Sequence, residues 1–260
     1  MIYDSHSHTE FSSDSDMKAT DAVQAADRLG IGLVFTEHYD FDYVESPHYK
    51  DMDFVFDPQK YWRQYEPLRG NKLLLGVELG LTPGSIEANK RFIKQVPFDQ
   101  VIGSIHAINK LDIYYPDYYE NKTKREAYAC YLKNMADMVK ANPYIDILGH
   151  IDYICRYAPY EDKEIDYTDL HDLVDLVIMN VLDTGTVMEL NTRRLDSKTV
   201  AEALLPIYRR YRELGGEYIA IGSDAHKVEN LGMNFPMAID LAEFLGLKPV
   251  YFRERRIEYT

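Results

Sequence analysis

The feature that most constrains this fold is the alternation of short apolar runs with longer amphipathic segments along the whole chain. Seven runs rich in aliphatic and β-branched residues predict strands, at residues 1–5, 32–37, 73–79, 100–105, 146–149, 187–190 and 218–222. Seven segments with helical spacing predict helices, at residues 20–29, 58–69, 85–95, 124–141, 170–182, 198–214 and 235–245. Continuously apolar runs are typical of parallel strands covered by helices. The pattern therefore predicts an α/β fold, either a barrel or a doubly wound sheet.

Histidine and acidic side chains stand at the carboxyl ends of these runs. Six of the eight histidines do so, at the ends of five different runs. In a barrel the carboxyl ends of all strands meet at one face, whereas the outer strands of an open sheet lie too far apart to share a site. We therefore expect a barrel with one cluster at that face. The cluster contains His6, His8, Glu37, His38, Glu78, His106, His150, Asp224 and His226.

This set of side chains indicates a metal site. Neutral imidazoles and carboxylates are ligands for zinc, iron and manganese. His6 and His8 are two positions apart, so both rings can point to the same side of an extended segment. A single histidine at a strand end is more often a hydrogen-bonded structural residue. Histidines and acids at successive strand ends are hard to explain in that way.

Composition and charge exclude several classes of protein. The 260 residues are close to the roughly 250 that are typical of an α/β barrel. No linker or change in composition divides the chain, so we expect residues 1–260 to be one domain. With 29 Lys and Arg against 43 Asp and Glu, the formal net charge of −14 argues against a nucleic acid polymer as partner. The chain shows neither a leader nor a run of 18 apolar residues, which predicts a cytoplasmic protein without a membrane partner.

Six motifs contain these side chains and follow one another in order between residues 6 and 226. The motifs are His-Ser-His-Thr-Glu-Phe-Ser-Ser-Asp at 6–14, Thr-Glu-His-Tyr-Asp at 36–40, Gly-Val-Glu-Leu-Gly at 76–80, Gly-Ser-Ile-His at 103–106, Gly-His-Ile-Asp at 149–152 and Gly-Ser-Asp-Ala-His at 222–226. Together they resemble the motifs of the polymerase and histidinol phosphatase (PHP) superfamily. The resemblance implies a distorted (β/α)7 TIM-like barrel with a metal cluster at the carboxyl-end face of its strands.

The resemblance also implies three divalent metal ions per chain, which would be zinc, iron or manganese. The first position would use His6, His8, Glu78 and Asp224, the second Glu78, His106 and His150, and the third Asp14, His38 and His226. Some members of the superfamily have histidine where this chain has Asp14. Asp16 is an alternative to Asp14 at the third position.

The sequence around residues 127–135 and 149–157 looks like the histidinol-phosphatase branch of the superfamily. This likeness implies a phosphomonoesterase of histidine biosynthesis that converts L-histidinol phosphate to L-histidinol and inorganic phosphate through a metal-activated hydroxide. Two alternatives stay open, namely a phosphoesterase for another small phosphate ester or nucleotide, and a metal-binding module without activity.

Further residues are candidates for binding phosphate and for donating a proton. Arg156 and Arg193 follow predicted strands and can bind phosphate with two parallel hydrogen bonds, with Arg194 as the fallback. Glu37 and Asp40 flank His38, and either could donate a proton to the leaving group or orient a ligand.

A substrate with an ammonium group needs carboxylates or tyrosines set back from the metals. The segment 41–57 is the predicted loop for that task, with its acidic residues Asp42, Glu45, Asp51 and Asp53. Four of the 22 tyrosines are candidates to line the pocket around an imidazole, namely Tyr39, Tyr43, Tyr114 and Tyr115.

Overall fold

The strands form a parallel sheet that curves into a barrel. The computed structural model describes residues 1–43 and 54–259. Its strands are β1 (Tyr3–Ser7), β2 (Gly32–Tyr39), β3 (Leu73–Gly80), β4 (Gln100–Ser104), β5 (Ala107–Ile108), β6 (Leu111–Asp112), β7 (Ile147–Leu148), β8 (Val187–Asn191), β9 (Tyr218–Gly222), β10 (Lys248–Arg253) and β11 (Arg256–Tyr259). The order β1-β2-β3-β4-β7-β8-β9 is parallel throughout. All seven predicted strands are thus confirmed.

Helices cover the outside of this sheet. They are α1 (Ala19–Leu29), α2 (Pro58–Tyr65), α3 (Ile86–Phe92), α4 (Lys124–Ala141), α5 (Ile154–Tyr157), α6 (Tyr167–Thr184), α7 (Lys198–Glu213) and α8 (Phe235–Leu245). Aliphatic and aromatic side chains of the sheet and helices form one large buried core, which includes Phe35, Leu75, Tyr131 and Val177. Among the described residues, no helix is long and apolar enough to cross a membrane.

The barrel closes differently at its two ends. We call the end at which the parallel strands finish the carboxyl-end mouth, and the opposite end the amino-end mouth. At the carboxyl-end mouth β1 meets the residues after β9 directly, because the His8 amide donates to Ala225 O and the Asp224 amide donates to His6 O, both at 2.8 Å. At the amino-end mouth β10 pairs with β9 instead, and Tyr251 of β10 stacks on Tyr3 of β1 at 3.8 Å.

The hairpin formed by β10 and β11 has no counterpart in the strands predicted from the sequence. Val250 and Phe252 are buried inside the barrel against Ile102 and Ile147, so β10 fills the gap between β9 and β1. The sequence of β10 begins with Lys248 and ends with Arg253, and its alternation is too short to indicate a strand without its neighbours. Its place depends on tertiary packing.

Several predicted boundaries differ from the observed ones. The first strand begins at Tyr3, so His6 lies inside β1 rather than after it. The first helix begins at Ala19, one residue before the predicted start. Gly30 is the C-cap of that helix, with a φ of +71° that a glycine adopts without strain.

Candidate metal centre

The nine side chains expected as metal ligands lie together at the carboxyl-end mouth of the barrel. They are His6, His8, Asp14, His38, Glu78, His106, His150, Asp224 and His226. Strand register explains part of this arrangement. His38 of β2 and Glu78 of β3 are direct partners in the parallel sheet, so their side chains leave it on the same side.

Glu78 lies at the centre of the cluster and is fully buried. Imidazole nitrogens face both of its carboxylate oxygens. The contacts to Oε2 are His6 Nε2 at 3.3 Å, His8 Nε2 at 3.5 Å and His38 Nδ1 at 2.9 Å, and those to Oε1 are His150 Nε2 at 2.9 Å and His106 Nε2 at 3.3 Å. This is the arrangement that a carboxylate needs in order to bridge two cations.

Asp224 contacts two of the histidines that also contact Glu78. Its Oδ1 lies 3.4 Å from His8 Nε2 and 3.8 Å from His6 Nε2. The residue has a φ of +54°, a left-handed conformation that is uncommon outside glycine. Backbone strain of this kind costs about 1 kcal/mol or more and is concentrated at functional sites.

Asp14 joins the more open part of the cluster. Its Oδ2 lies 3.4 Å from His38 Nε2 and 3.2 Å from His226 Nε2. Its side chain is 30% exposed, whereas that of Glu78 is fully buried. Asp16, the alternative, is exposed and does not line the cavity beside the cluster. The geometry therefore favours Asp14.

The buried donor atoms of this cluster fit a metal ion. Among the described residues, His6 Nε2, His8 Nε2, His38 Nδ1 and Glu78 Oε2 are buried without a hydrogen-bond partner. Ligands about 2.1 Å from an ion lie roughly 3.0 to 3.4 Å apart in octahedral or tetrahedral geometry. Most separations between these atoms and their carboxylate neighbours, 2.9 to 3.5 Å, are of this size.

Three of the rings are oriented by a hydrogen bond at Nδ1. His6 Nδ1 lies 2.7 Å from Glu189 Oε1, and His8 Nδ1 lies 3.2 Å from the Ser12 hydroxyl. His106 Nδ1 lies 2.8 Å from Asp40 Oδ1. A hydrogen bond at Nδ1 leaves the Nε2 lone pair available to a metal, and carboxylate partners of this kind recur around metal sites.

Burial and mutual charge set the ionisation of the cluster. Burial lowers the pKa of His8 well below its usual value. Burial also acts to lower the pKa of His6, but nearby carboxylates, led by Glu189, outweigh it and hold this pKa well above the usual value. Burial would raise the pKa of Glu78, yet the facing imidazoles hold it well below the usual range. The carboxylate at the centre is therefore ionised, which is the form that binds a cation.

Glycines at three strand ends provide space for the side chains around the cluster. A Cβ on Gly80 would lie 1.9 Å from Asp40 Oδ1, and one on Gly222 would lie 2.4 Å from Glu189 Oε1. A Cβ on Gly149 would lie 2.3 Å from the hydroxyl of Ser104, which donates to Glu78 Oε1 at 2.6 Å. Any larger residue at these positions would displace the groups that orient the cluster.

Arg156 lies beside the cluster on the short helix α5. Its Nη1 donates to Asp224 Oδ2, and its Nη2 donates to Asn191 Oδ1 at 2.9 Å. The side chain is only 7% exposed and lines the cavity, and its Nε has no hydrogen-bond partner among the described residues. It is therefore not a surface residue, and it forms part of the cavity wall.

Arg193 and Arg194 point in different directions. Arg193 lines the cavity, with Nη1 at 3.5 Å from Asp224 Oδ2, and its side chain is 38% exposed. Arg194 binds Asp152 and Glu164 and does not line this cavity. The fallback to Arg194 is therefore not supported.

Glu37 and Asp40, the two candidate proton donors, differ in their surroundings. Glu37 is fully buried, and its carboxylate accepts hydrogen bonds from the Thr9 amide and from the hydroxyls of Thr9 and Ser12. It does not line the cavity, and it supports the segment that follows β1. Asp40 lines the cavity and contacts His106. Of the two, only Asp40 faces the site.

The cluster forms the floor of a cavity of about 370 Å³ with aromatic walls. Besides cluster residues, Asp40, Arg156 and Arg193, its lining consists of Tyr43, Phe54, Asp112, Tyr114, Tyr115, Tyr153, Tyr157 and Lys227. Tyr43, Tyr114 and Tyr115 are thus in the expected place. The expectation for Tyr39 is wrong, because this ring is buried and stacks on Phe92 at 3.6 Å.

Part of the loop expected to bind an ammonium group lies outside the described residues, including Glu45, Asp51 and Asp53. Asp42 is described, and its carboxylate accepts a hydrogen bond of 3.0 Å from the Thr82 hydroxyl. It does not line the cavity. Asp112, the last residue of β6, brings a carboxylate to the wall that sequence reasoning did not single out.

Sequence reasoning also missed Glu189, Asn191 and Ser12. Each is buried and contacts a cluster residue or an arginine rather than the cavity itself. Glu189 lies inside a predicted strand, and a carboxylate in an otherwise apolar run was a usable signal.

Comparison with known proteins places this arrangement in a family. The sequence profile of the PHP domain matches residues 4–193. A protein of Clostridium acetobutylicum named as a probable histidinol-phosphatase is 44% identical over 260 residues, which is 100% of both chains. The histidinol-phosphatase of Lactococcus lactis is 30% identical over 230 residues, which cover 86% of this chain and 83% of the relative.

Solved structures agree with the sequence comparison. Histidinol phosphate phosphatase of Lactococcus lactis, crystallised with zinc, L-histidinol and phosphate, superimposes with a TM-score of 0.91 at 28% identity, over 99% of this chain and 98% of that one. A Listeria monocytogenes protein shares the fold, with a TM-score of 0.75 at 16% identity over 90% of this chain and 99% of that one. Because the family profile covers more than half of the sequence and a relative matches it from end to end, the chain belongs to the PHP domain family.

Proposed function

We propose that this chain, as one metallophosphatase domain over residues 1–260, hydrolyses L-histidinol phosphate to L-histidinol and inorganic phosphate. The observation that carries the proposal is the group of unpartnered buried donor atoms around Glu78, next to a buried guanidinium, at the floor of an aromatic cavity. The relatives named as histidinol-phosphatases support the choice of substrate. Such an activity belongs to histidine biosynthesis, and we propose that it takes place in the cytoplasm.

We propose three divalent ions, which would be zinc, iron or manganese. His6, His8, Glu78 and Asp224 would hold the first, Glu78, His106 and His150 the second, and Asp14, His38 and His226 the third. Divalent ions at such sites lower the pKa of water and stabilise charge on phosphoryl oxygens. Three ions would bring roughly +6, and three carboxylates would return roughly −3, so the floor would attract a phosphate dianion.

Arg156 and Arg193 would bind the phosphate of the substrate. Arg156 is restrained by Asp224 and Asn191, so little side-chain entropy is lost when its guanidinium meets an anion in the cavity. Arg193 reaches the same carboxylate from a more exposed position. The two guanidinium groups would orient the phosphorus toward the floor of the cavity.

Asp40, rather than Glu37, would be the acidic group that acts near the leaving alcohol. Its Oδ1 is 2.8 Å from His106 Nδ1, and its Oδ2 is 3.8 Å from His38 Nδ1, so it lies between two cluster residues at the cavity wall. It would orient His106 and pass a proton to the departing oxygen. Glu37 would act only through Thr9 and Ser12, which it binds.

Asp112 would recognise the ammonium group of the substrate. Its carboxylate lies in the cavity wall, where it accepts hydrogen bonds from the Tyr43 hydroxyl and the Tyr114 amide. An ammonium in a cavity with a cationic floor needs a carboxylate on the opposite wall, and tyrosine rings suit an imidazole.

The experiment is a turnover screen with protein whose zinc, iron and manganese contents have been measured. L-Histidinol phosphate is compared with neutral phosphomonoesters and with nucleotides. We expect the highest kcat/KM for L-histidinol phosphate. If a nucleotide or another ester is turned over preferentially, that compound replaces L-histidinol phosphate as the proposed substrate. Absence of turnover in the fully metal-loaded protein would favour a metal-binding module without activity.

The role of Asp112 has its own test. We expect Asp112→Asn to raise KM for L-histidinol phosphate about tenfold, because a hydrogen bond between two charged groups is worth about 1.5 kcal/mol or more. KM for a neutral phosphomonoester is the control and should stay within about twofold of the wild-type value. Equal increases for both substrates would assign Asp112 to the structure of the wall.

A further inference from the structure

Glu189 and Asn191 of β8 form a buried polar pair that lies outside the proposed ligand set. The two residues are two positions apart, so their side chains share one face of the strand. They are 1% and 2% exposed. Asn191 Nδ2 donates a hydrogen bond of 3.2 Å to Glu189 Oε2. The two side chains are therefore connected to each other and shielded from solvent.

The Glu189 end of this pair reaches the cluster. Its Oε1 lies 2.7 Å from His6 Nδ1, and its Oε2 accepts the backbone N–H of His150 at 2.7 Å. His6 comes from β1, whereas His150 follows β7. One carboxylate therefore restrains two proposed metal ligands that come from separate strands.

The Asn191 end reaches the arginines. Its Oδ1 accepts from Arg156 Nη2 at 2.9 Å and from the Arg193 backbone N–H at 3.1 Å. The first contact fixes the guanidinium plane of Arg156. The second fixes the turn from which the Arg193 side chain extends into the cavity.

We propose that Asn191 is a positioning residue that sets the phosphate-binding arginines in register with the metal cluster. The inference rests on the proposed function, because it assigns the two arginines to phosphate. Through Glu189 the amide is tied to His6 and His150, and through its own oxygen it is tied to Arg156 and Arg193. The anion-binding groups are thus tied to the metal-binding groups through this side chain as well as through the direct contacts of both arginines with Asp224.

The chemistry of the amide explains why this position holds asparagine. The amide group donates to a carboxylate with Nδ2 and accepts from a guanidinium with Oδ1 at the same time. Aspartate would keep the acceptor for the arginines but would set a second carboxylate against Glu189. Alanine would remove both contacts. The two substitutions therefore separate the arginine end from the cluster end.

The test compares Asn191→Ala and Asn191→Asp with the wild-type protein, all loaded with zinc. The matched control is Asn180→Ala, which removes another buried amide, one that donates to Ala136 O at 2.8 Å in the helical layer. The measurements are the Kd of inorganic phosphate by calorimetry, the zinc retained per chain after dialysis against a chelator, and kcat and KM for L-histidinol phosphate.

For Asn191→Ala we expect the Kd of phosphate and KM to rise about tenfold, with a smaller change in kcat, because the arginines lose one of the two acceptors that they share and keep only Asp224. For Asn191→Asp we expect phosphate affinity within about threefold of the wild type and a faster loss of zinc, because two carboxylates then repel each other. Asn180→Ala should leave both quantities unchanged.

Phosphate affinity in Asn191→Ala equal to that in Asn180→Ala overturns the proposal. So does an Asn191→Asp protein that retains zinc as well as the wild type, and this variant decides the matter if Asn191→Ala does not fold. A zinc-loaded wild-type protein that neither binds phosphate nor hydrolyses a phosphomonoester overturns the proposed function, and the inference with it.

Discussion

The two mouths of the barrel both bury carboxylates, but they satisfy them in opposite ways. At the amino-end mouth, Asp99 accepts from Arg69 Nε and Nη2 at 2.8 and 2.7 Å and from the Leu75 amide at 2.9 Å. At the carboxyl-end mouth, Glu78 Oε2 is buried without a hydrogen-bond donor that the described residues supply. A buried carboxylate thus has its hydrogen-bond donors within the protein at the amino-end mouth, whereas at the carboxyl-end mouth one carboxylate oxygen lacks a donor among the described residues. We call these mouths the complete and the incomplete end.

The C-terminal hairpin makes the amino-end mouth complete. Arg255, at the tip between β10 and β11, donates to Asp146 and to the Tyr144 carbonyl, and its amide binds Asp99 O at 2.9 Å. Asp146 in turn accepts the Val101 amide at 2.7 Å. A buried charge whose partners are all protein groups indicates structure, whereas a buried charge that lacks them indicates a ligand.

The largest expected effect follows from removing the incomplete carboxylate. Glu78→Ala should lose metal, and kcat/KM should fall at least about 10³-fold, because bound ions contribute several kcal/mol of charge stabilisation. Elemental analysis and turnover measure the two effects. Chelator should lower the Tm of the wild type but leave that of Glu78→Ala unchanged, since stabilisation by binding needs the site. A full metal complement in this variant would contradict the role of Glu78 as a bridge.

The next effect tests the complete end. Asp99→Asn should lower the free energy of unfolding by about 2 to 3 kcal/mol. Arg69 loses a charged acceptor, and the backbone amides that donate to the same carboxylate lose part of their hydrogen bonding. Urea unfolding of the metal-free protein measures this loss. Metal content and kcat of the folded fraction should equal those of the wild type. Loss of metal in Asp99→Asn would mean that the two mouths are not independent.

The sequence predicted the incomplete end much better than the complete one. Histidines and acids at strand ends converge through barrel topology alone, so positions such as His6, Glu78 and Asp224 could be assigned to one mouth without coordinates. Asp99 and Arg255 could not be paired, because their contact depends on a hairpin whose strands are recognisable only after they have packed against β9 and β1.

Within the candidate site, sequence reasoning likewise failed where the role of a residue depends on its tertiary contacts. Glu189 and Asn191 act on neighbours from other strands, so their roles depend on which atoms face them. Glu37 and Asp40 lie on one segment and could not be distinguished by position. Their hydrogen bonds distinguish them, because Glu37 is bound by Thr9 and Ser12 outside the cavity.

A smaller effect is expected from removing Arg156, the buried cation beside the metal cluster. Arg156→Ala should raise the Kd of inorganic phosphate about 30-fold, which corresponds to roughly 2 kcal/mol for a lost charge-assisted hydrogen bond. Metal content should be unchanged, because Asp224 keeps its contacts with His6 and His8. Calorimetry with phosphate checks the first quantity and elemental analysis the second. Phosphate binding as tight as in the wild type would show that Arg156 only restrains Asp224.

The smallest effect concerns Arg193 and separates the cavity rim from its floor. Its side chain is 38% exposed and that of Arg156 is 7% exposed, so water screens the interaction of Arg193 with an anion more strongly. Arg193→Ala should therefore raise the Kd of phosphate only about three- to fivefold, and this increase should shrink as salt is added. The effect of Arg156→Ala should change little with salt, because the buried guanidinium is shielded from ions. Titrations with phosphate at low and high ionic strength provide the comparison. Equal salt dependence in the two variants would place both arginines in the same environment and would remove the distinction between rim and floor.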